Sequence, residues 1–365
     1  MTSFMYYVPT KVYFGTDAES HIGEALTAMG VKKVLLHYGG GSIKKTGLYD
    51  KVTGQLKVAG IEWVDFGGVE PNPKLSMVRE GIALGLALNV DPWEAVVKNL
   101  IPEKQFPMGL VLTISAAGSE MSNSCVITDA EHNLKRACNH DMNRPALAFM
   151  NPENTLTVPP YQTAAGVVDI MMHTMERYLT NEPDTPLTDG IAEAVLASAK
   201  DCGTRLMRDP GDLDARSDMM WASSLAHNDI TGCGRNKTFP AHKIEHDLSG
   251  AHDNITHGAG LAVVFPAWCR FEYKRGIDRF YKWAVNVWQA EPGEDKEKTI
   301  LEGIGKMVSY FKSLGMPTTM GELGITPAEY EHIAGLTTNG DTTQLLSYGR
   351  TIGRKEIIEI YRLAE

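Results

Sequence analysis

At 365 residues the chain is longer than one ordinary domain, so two domains around two cores are expected. Hydrophobic residues make up 43% and charged residues 22%, which excludes a disordered chain, and the formal net charge of −10 argues against nucleic acid or anionic membrane as the main partner. The start, "MTSFMYYVPTKVYFG", lacks the basic flank and apolar core of a signal peptide, and no apolar run is long enough to span a bilayer. Cys125, Cys138, Cys202, Cys233 and Cys269 are odd in number and form no CxxC pair. They read as reduced thiols of a cytoplasmic protein and leave no cysteine–zinc site.

Taken in order, the first part of the chain alternates strand and helix signals. "KKVLLHY" (32–38) is a β-rich run ending in Gly39-Gly40-Gly41-Ser42, and "KTGLYDKVTGQLKVAG" (45–60) is an amphipathic helix closed by glycine. "IEWVDFGGV" (61–69) predicts a strand and "KLSMVREGIALGLALN" (74–89) a helix; "GLVLTI" (109–114), "SCVITD" (124–129) and "ALAFMN" (146–151) are three further strands. Such alternation indicates a parallel sheet with crossover helices. After Pro159-Pro160 the apolar spacing is helical almost to the end, as in "AAGVVDIMMHTMERYLT" and "ARSDMMWASSLAHNDI". The expected architecture is an α/β domain over 1–160 and an all-helical domain over 161–365.

Of eleven histidines, four fall in "PAHKIEHDLSGAHDNITHGAG": His242, His246, His252 and His257. His242 and His246 are four apart and share a helix face, a spacing that suits two metal ligands and an ordinary helix surface alike. His257 precedes Gly258, where close backbone approach is possible, and His252 reads as a surface residue. Asp169 and His173 form a second pair four apart, with Asp169 set among Val167, Val168, Ile170 and Met171. A carboxylate there is costly unless a cation compensates it, either a metal or an arginine. One carboxylate with three neutral imidazoles suits Fe²⁺ or Zn²⁺ and poorly suits Ca²⁺ or Mg²⁺.

Over nearly its whole length the sequence resembles the iron-containing (group III) alcohol dehydrogenases, most closely their NADPH-dependent butanol dehydrogenase-like branch. The stretches that carry the likeness are "YGGGSIKKTGLYDKV", "FGGVEPNPKL", "AAGSEMSNSCVITD", "VPPYQTAAGVVDIMMHTMERY", "MMWASSLAHNDITGCG" and "HKIEHDLSGAHDNITHGAGLA". The resemblance implies a dehydroquinate synthase-like fold, with a Rossmann-like dinucleotide-binding domain followed by a helical metal-binding domain. It implies Asp169, His173, His242 and His257 as ligands to Fe²⁺ or Zn²⁺, with His246 near the reacting carbon as the proton relay. The stretch from His246 to His257 is one residue longer than the family pattern, which leaves His252 as the fallback ligand.

Gly39, Gly40, Gly41 and Ser42 follow a strand and precede a helix, where backbone N–H groups can meet a phosphate. No acid stands in that stretch to bind a ribose 2′-hydroxyl; Ser42, Lys44 and Lys45 favour the 2′-phosphate of NADP(H). By resemblance Lys135, in the "HNLKRA" turn, contacts the cofactor ribose and Thr113 lines the nucleotide cleft, while Ala117 replaces a usual threonine. Between Asp91 and Pro92 the family has a buried strand, a second glycine-rich loop and a helix that grip the pyrophosphate. Removing them from a folded protein would expose both neighbouring strands, so the expectation is that the segment is present in the protein rather than deleted.

The implied reaction is hydride transfer between NADP(H) and a small primary alcohol or aldehyde, at a metal in the cleft between the domains. Rival readings are an NAD-dependent polyol dehydrogenase, a metal-dependent hydrolase, and a non-catalytic subunit without its cofactor loop. Met171, Met172, Trp221 and Phe265 are candidates for an apolar substrate pocket and equally for core. The β-rich start, with Tyr6, Val8 and Val12, is expected to pair across a two-fold axis in a homodimer.

Overall fold

The structure is a computed structural model that describes residues 2–70, 72–85, 91–98, 100, 106–132, 134–182 and 185–365. The chain divides into two compact units. One comprises Tyr7–Ile114 and Ser119–Thr157; the other comprises Val158–Glu365, Ser115–Gly118 and the N-terminal residues up to Tyr6.

In the first unit the order is β1 (Lys11–Phe14), α1 (Ile22–Ala28), β2 (Lys33–His37), α2 (Ser42–Lys45), α3 (Leu48–Val58), β3 (Glu62–Phe66), α4 (Leu75–Gly85) and α5 (Pro92–Val97). Four strands follow: β4 (Gly109–Val111), β5 (Ser124–Asp129), β6 (Leu134–Asn139) and β7 (Leu147–Met150). Leu48, Val52 and Leu56 recur at helical spacing along α3 and pack with Ile22 and Ala25 of α1 and with Leu147 and Phe149 of β7. Each such side chain, fully buried, contributes about 1.5–3 kcal/mol. Strand β7 is buried along its whole length and lies between β1 and β4, parallel to both, with Val12 opposite Ala148 and Leu110 opposite the same residue.

Two features depart from the sequence reading. Lys135 does not stand in a turn: it is the second residue of β6, opposite Thr128 in an antiparallel hairpin with β5. Short polar strands such as "LKRACN" lack the apolar run that marks a buried strand. The parallel sheet is also divided among the described residues: β2 pairs only with β3, apart from the β1-β7-β4 sheet. Leu35 of β2 and Val64 of β3 are consequently more than a third exposed, unusual for parallel strands, which are normally covered on both faces. At the unusual junction, Asp91 caps α5, accepting the Trp93 amide and pairing with Arg79 at 2.8 Å, and Pro92 takes the first helical position. The last residues of the predicted 74–89 helix lie outside the described residues.

The second unit contains α6 (Pro160–Tyr178), α7 (Pro186–Arg208), α8 (Leu213–His227), α9 (Pro240–Ala251), α10 (His257–Glu272), α11 (Ile277–Asn286), α12 (Lys296–Ser313), α13 (Tyr330–Thr337) and α14 (Arg354–Arg362). Helix α6 begins where Pro159 holds extended backbone and Pro160 supplies a first helical residue that needs no N–H partner. It is buried on every side from Thr163 to Tyr178, so it is the axis of this core rather than an amphipathic surface helix. Between α13 and α14 the chain forms a hairpin, β8 (Leu345–Ser347) and β9 (Arg350–Ile352), where only helix was expected. Its turn places Tyr348 and Gly349 at φ 42° and 78°, the backbone that a two-residue hairpin loop requires.

Candidate metal centre

Helix α6 presents Asp169, His173 and Glu176 at i, i+4 and i+7, one polar face on an otherwise apolar buried helix. Asp169 Oδ1 lies 3.4 Å from His173 Nε2, 3.8 Å from His242 Nε2 and 3.7 Å from His257 Nε2. Donor atoms of a tetrahedral shell with bonds of about 2.0–2.2 Å are separated by roughly 3.3–3.6 Å; the donor atoms of Asp169, His242 and His257 all lie within 4.8 Å of one another, and His173 Nε2 lies beside the same Asp169 oxygen. Asp169, His173 and His242 are each at most 6% exposed. Asp169 Oδ1 and His242 Nε2 are buried without a hydrogen-bond partner, an arrangement that a divalent ion completes. The residues fit the ion.

Close helix packing brings the third element in. His242 lies on α9 and His257 is the first residue of α10. A Cβ on Gly258 would run into the Ala165 carbonyl of α6, and one on Gly260 would meet Glu245 Oε1 at 2.6 Å. The two glycines after His257 therefore let α10 lie against both α6 and α9. His252 is turned away, with its Nε2 3.2 Å from Glu329 Oε2. His246 is half-buried, its ring centroid 5.2 Å from that of His257. Met171, Met172 and Phe265 are fully buried in the helical core, whereas Trp221 is exposed.

Three side chains that the sequence reading did not select complete the surroundings. Glu176 accepts the amides of Ala241 and His242, at 2.8 and 3.2 Å, and the Nδ1–H of His242. Glu245 accepts the Nδ1–H of His257. His227, at the end of α8, stacks on His173 with ring centroids 3.9 Å apart and donates its Nδ1–H to the Ala117 carbonyl. The one available signal was polar residues at helical spacing from the predicted ligands, Glu176 after His173 and Glu245 after His242; His227 had none.

Burial pushes His173 well below the usual imidazole range, aided by neighbouring His227 and His242. His227 is taken down to about 3 by burial and by the Arg177 charge. His242 moves the other way: burial opposes its charge, but Glu176 and Asp169 outweigh this and raise it to about 9. Burial likewise disfavours ionised Asp169, yet His242 and His257 hold its carboxyl below the ordinary range. Positive charge is thus favoured at His242, between two carboxylates, and disfavoured at His173 and His227.

In the α/β unit, Gly39–Gly41 lead from β2 into α2, with Ser42 as the first residue of that single turn and open space around Gly40 and Gly41. Lys44 lies over the rings of Tyr38 and Tyr49, and the Tyr49 hydroxyl donates to Asp65 of β3 at 2.9 Å. The structure thus adds an acid, Asp65, to a neighbourhood that showed none in sequence. Lys135 is buried and donates to Asn72 Oδ1 at 3.1 Å. Thr113 is half-buried just beyond β4.

Residues 163–364 match the C-terminal part of the Fe-containing alcohol dehydrogenase family, and residues 9–91 and 82–152 match iron-containing alcohol dehydrogenase. The chain belongs to the iron-containing alcohol dehydrogenase family. It is 36% identical to NADH-dependent butanol dehydrogenase A of Clostridium acetobutylicum, over 99% of both chains. It is 32% identical to the NADPH-dependent aldehyde reductase YqhD of Escherichia coli, over 89% of this chain and 90% of the relative. A crystal structure of NADH-dependent butanol dehydrogenase A from Thermotoga maritima superposes with a TM-score of 0.95 at 32% identity, covering 100% and 99% of the two chains. This iron-containing alcohol dehydrogenase is thus an oxidoreductase of alcohols and aldehydes. The N-terminal match comes in two pieces, 9–91 and 82–152, that overlap just before the Asp91–Pro92 junction.

Proposed function

We propose that the chain reduces small aliphatic aldehydes, and oxidises the corresponding primary alcohols, with NADP(H) at one divalent cation, Fe²⁺ or Zn²⁺, held by Asp169, His173, His242 and His257. The observation that carries this reading is the convergence of three Nε2 atoms on the partnerless Asp169 Oδ1. When bound, the cation supplies Lewis acidity toward the substrate oxygen and the nicotinamide supplies or accepts the hydride. The protein's own part is positioning and proton management. Asp169 and the three imidazoles fix the centre, and the buried carboxylates of Asp169, Glu176 and Glu245 supply the negative charge that a cation would meet there. His246, half-buried beside His257, carries the proton between the alcohol oxygen and solvent. Gly39, Gly40, Gly41 and Ser42 offer their amides to cofactor phosphate, Thr113 lines the nucleotide cleft, and Lys135 serves the ribose.

NADP(H) is supported by Ser42, Lys44 and Lys45. A preference for NADH is the second reading, favoured by Asp65 and by the names of the butanol dehydrogenase relatives. Loss of absorbance at 340 nm (a property of both reduced cofactors) with butanal as substrate, measured in parallel for NADPH and NADH, tests both. Turnover with neither cofactor in the metal-loaded protein overturns the dehydrogenase reading in favour of a hydrolase or a non-catalytic subunit. A cytoplasmic location is supported by five free cysteines. Assembly as a homodimer is supported by β1 at the edge of its sheet and by exposed Phe4, Met5, Tyr6 and Tyr7 ahead of it. Light scattering on a chain lacking residues 2–10 tests it: a truncated protein that is still dimeric places the contact elsewhere.

A further inference from the structure

We propose that Glu176 and Glu245 are positioning residues of the metal centre, each acting from the helix that precedes the ligand it holds. Glu176 of α6 takes the Nδ1–H of His242 on α9, and Glu245 of α9 takes the Nδ1–H of His257 on α10. Both carboxylates are at most 2% exposed. With its Nδ1–H committed to a carboxylate, each imidazole turns Nε2, the atom that faces Asp169 Oδ1, toward the place a cation would take. The third imidazole differs: His173 Nδ1 is buried without a hydrogen-bond partner, and its ring is backed by the stacked ring of His227.

The arrangement passes from helix to helix. Helix α6 supplies two ligands and orients a third; α9 supplies that third ligand and orients the fourth. Glu176 also accepts the Ala241 and His242 amides, which lie in the first turn of α9 and have no carbonyl within the helix to serve them. One carboxylate therefore fixes both the start of α9 and the ring it carries. Glu245 has its own space only because residue 260 lacks a Cβ. The consequence is a centre that holds its ligand rings in orientation before metal arrives, with two buried anions behind the donors that strengthen imidazole binding of a cation.

This inference rests on the metal reading proposed above, and its test reads metal binding rather than turnover. The full chain is stripped of metal and titrated with Co²⁺ in competition with a chelator, and the visible absorption of the Co²⁺ form is recorded. Glu176→Gln and Glu245→Gln keep a side chain of the same shape without its charge, and each is expected to weaken Co²⁺ binding by about 10–100-fold and shift the Co²⁺ bands. Gly260→Ala, which adds only a methyl group, is expected to weaken binding by displacing the Glu245 carboxylate it meets. In the His257→Ala background, Glu245→Gln is expected to add no further loss, because its effect passes through that ring. Both glutamine variants binding within twofold of the parent with the parental spectrum overturns the proposal, as does a full additional loss in the His257→Ala background. Should Glu176→Gln fail to fold, the Glu245 and Gly260 variants decide. A parent chain that takes up no Co²⁺ overturns the metal reading itself, and this proposal with it.

Discussion

The helical unit and the α/β unit carry their candidate residues in opposite ways. In the helical unit the proposed ligands are mutually constrained: α6, α9 and α10 meet so closely that glycines at 258 and 260 are required, and His242 and His257 are each held by a buried glutamate. In the α/β unit the proposed cofactor residues stand on a one-turn helix, a strand and a loop, beside strands that are half-exposed. The difference teaches that a charged group in a core must be matched inside the protein, whereas a residue awaiting a large cofactor is matched by the ligand.

Perturbing the buried centre is expected to have the largest effect. Asp169→Ala removes the atom on which three imidazoles converge, so metal content is expected to fall below about a tenth of the parent's and turnover to assay background. Metal analysis showing full occupancy with normal turnover would break the contrast between the units. His246→Ala is expected to retain metal while losing about 10²–10⁴-fold in rate, the usual worth of a proton-transfer group; metal loss there would make His246 a ligand. Gly258→Ala sharpens the packing side of the comparison. Its new Cβ meets the backbone of Ala165, which cannot yield as a flexible side chain does, so urea denaturation is expected to show destabilisation of about 1–3 kcal/mol. The smallest effect belongs to the open cofactor loop. Gly40→Asp has room for its side chain and is expected to move the NADPH/NADH ratio of kcat/KM toward NADH by about 10–100-fold through repulsion of the 2′-phosphate. An unchanged ratio would remove that loop from cofactor selection.

How much of this was legible in sequence follows from the same contrast. Helices α3, α6 and α9 and strands β2, β3, β5 and β7 announce themselves by apolar periodicity and glycine or proline boundaries, and Asp169 stands out because an acid within "GVVDIMM" needs an explanation. Of the proposed ligands, Asp169 and His173 were visible as an i, i+4 pair, and the full set with His242 and His257 came from the family likeness. Lys135 was misplaced because a polar strand of a two-stranded hairpin has no period to read. His227, Glu176 and Glu245 were passed over because what distinguishes them is who they touch.

The sequence by itself determined the alternation of strands and helices in the first part of the chain, the change to helical character after Pro160, and the residue types able to hold a divalent cation. These are local properties: backbone preferences, apolar spacing and side-chain chemistry act over a few residues. Only the tertiary structure decided that His257 rather than His252 faces Asp169, that two buried glutamates stand behind two of the imidazoles, and that Asp65 lies near the glycine turn. It also decided that, among the described residues, β2 and β3 pair apart from the β1-β7-β4 sheet. Those facts depend on contacts between segments far apart in the chain, where packing and the matching of buried charge, not local preference, set the partner.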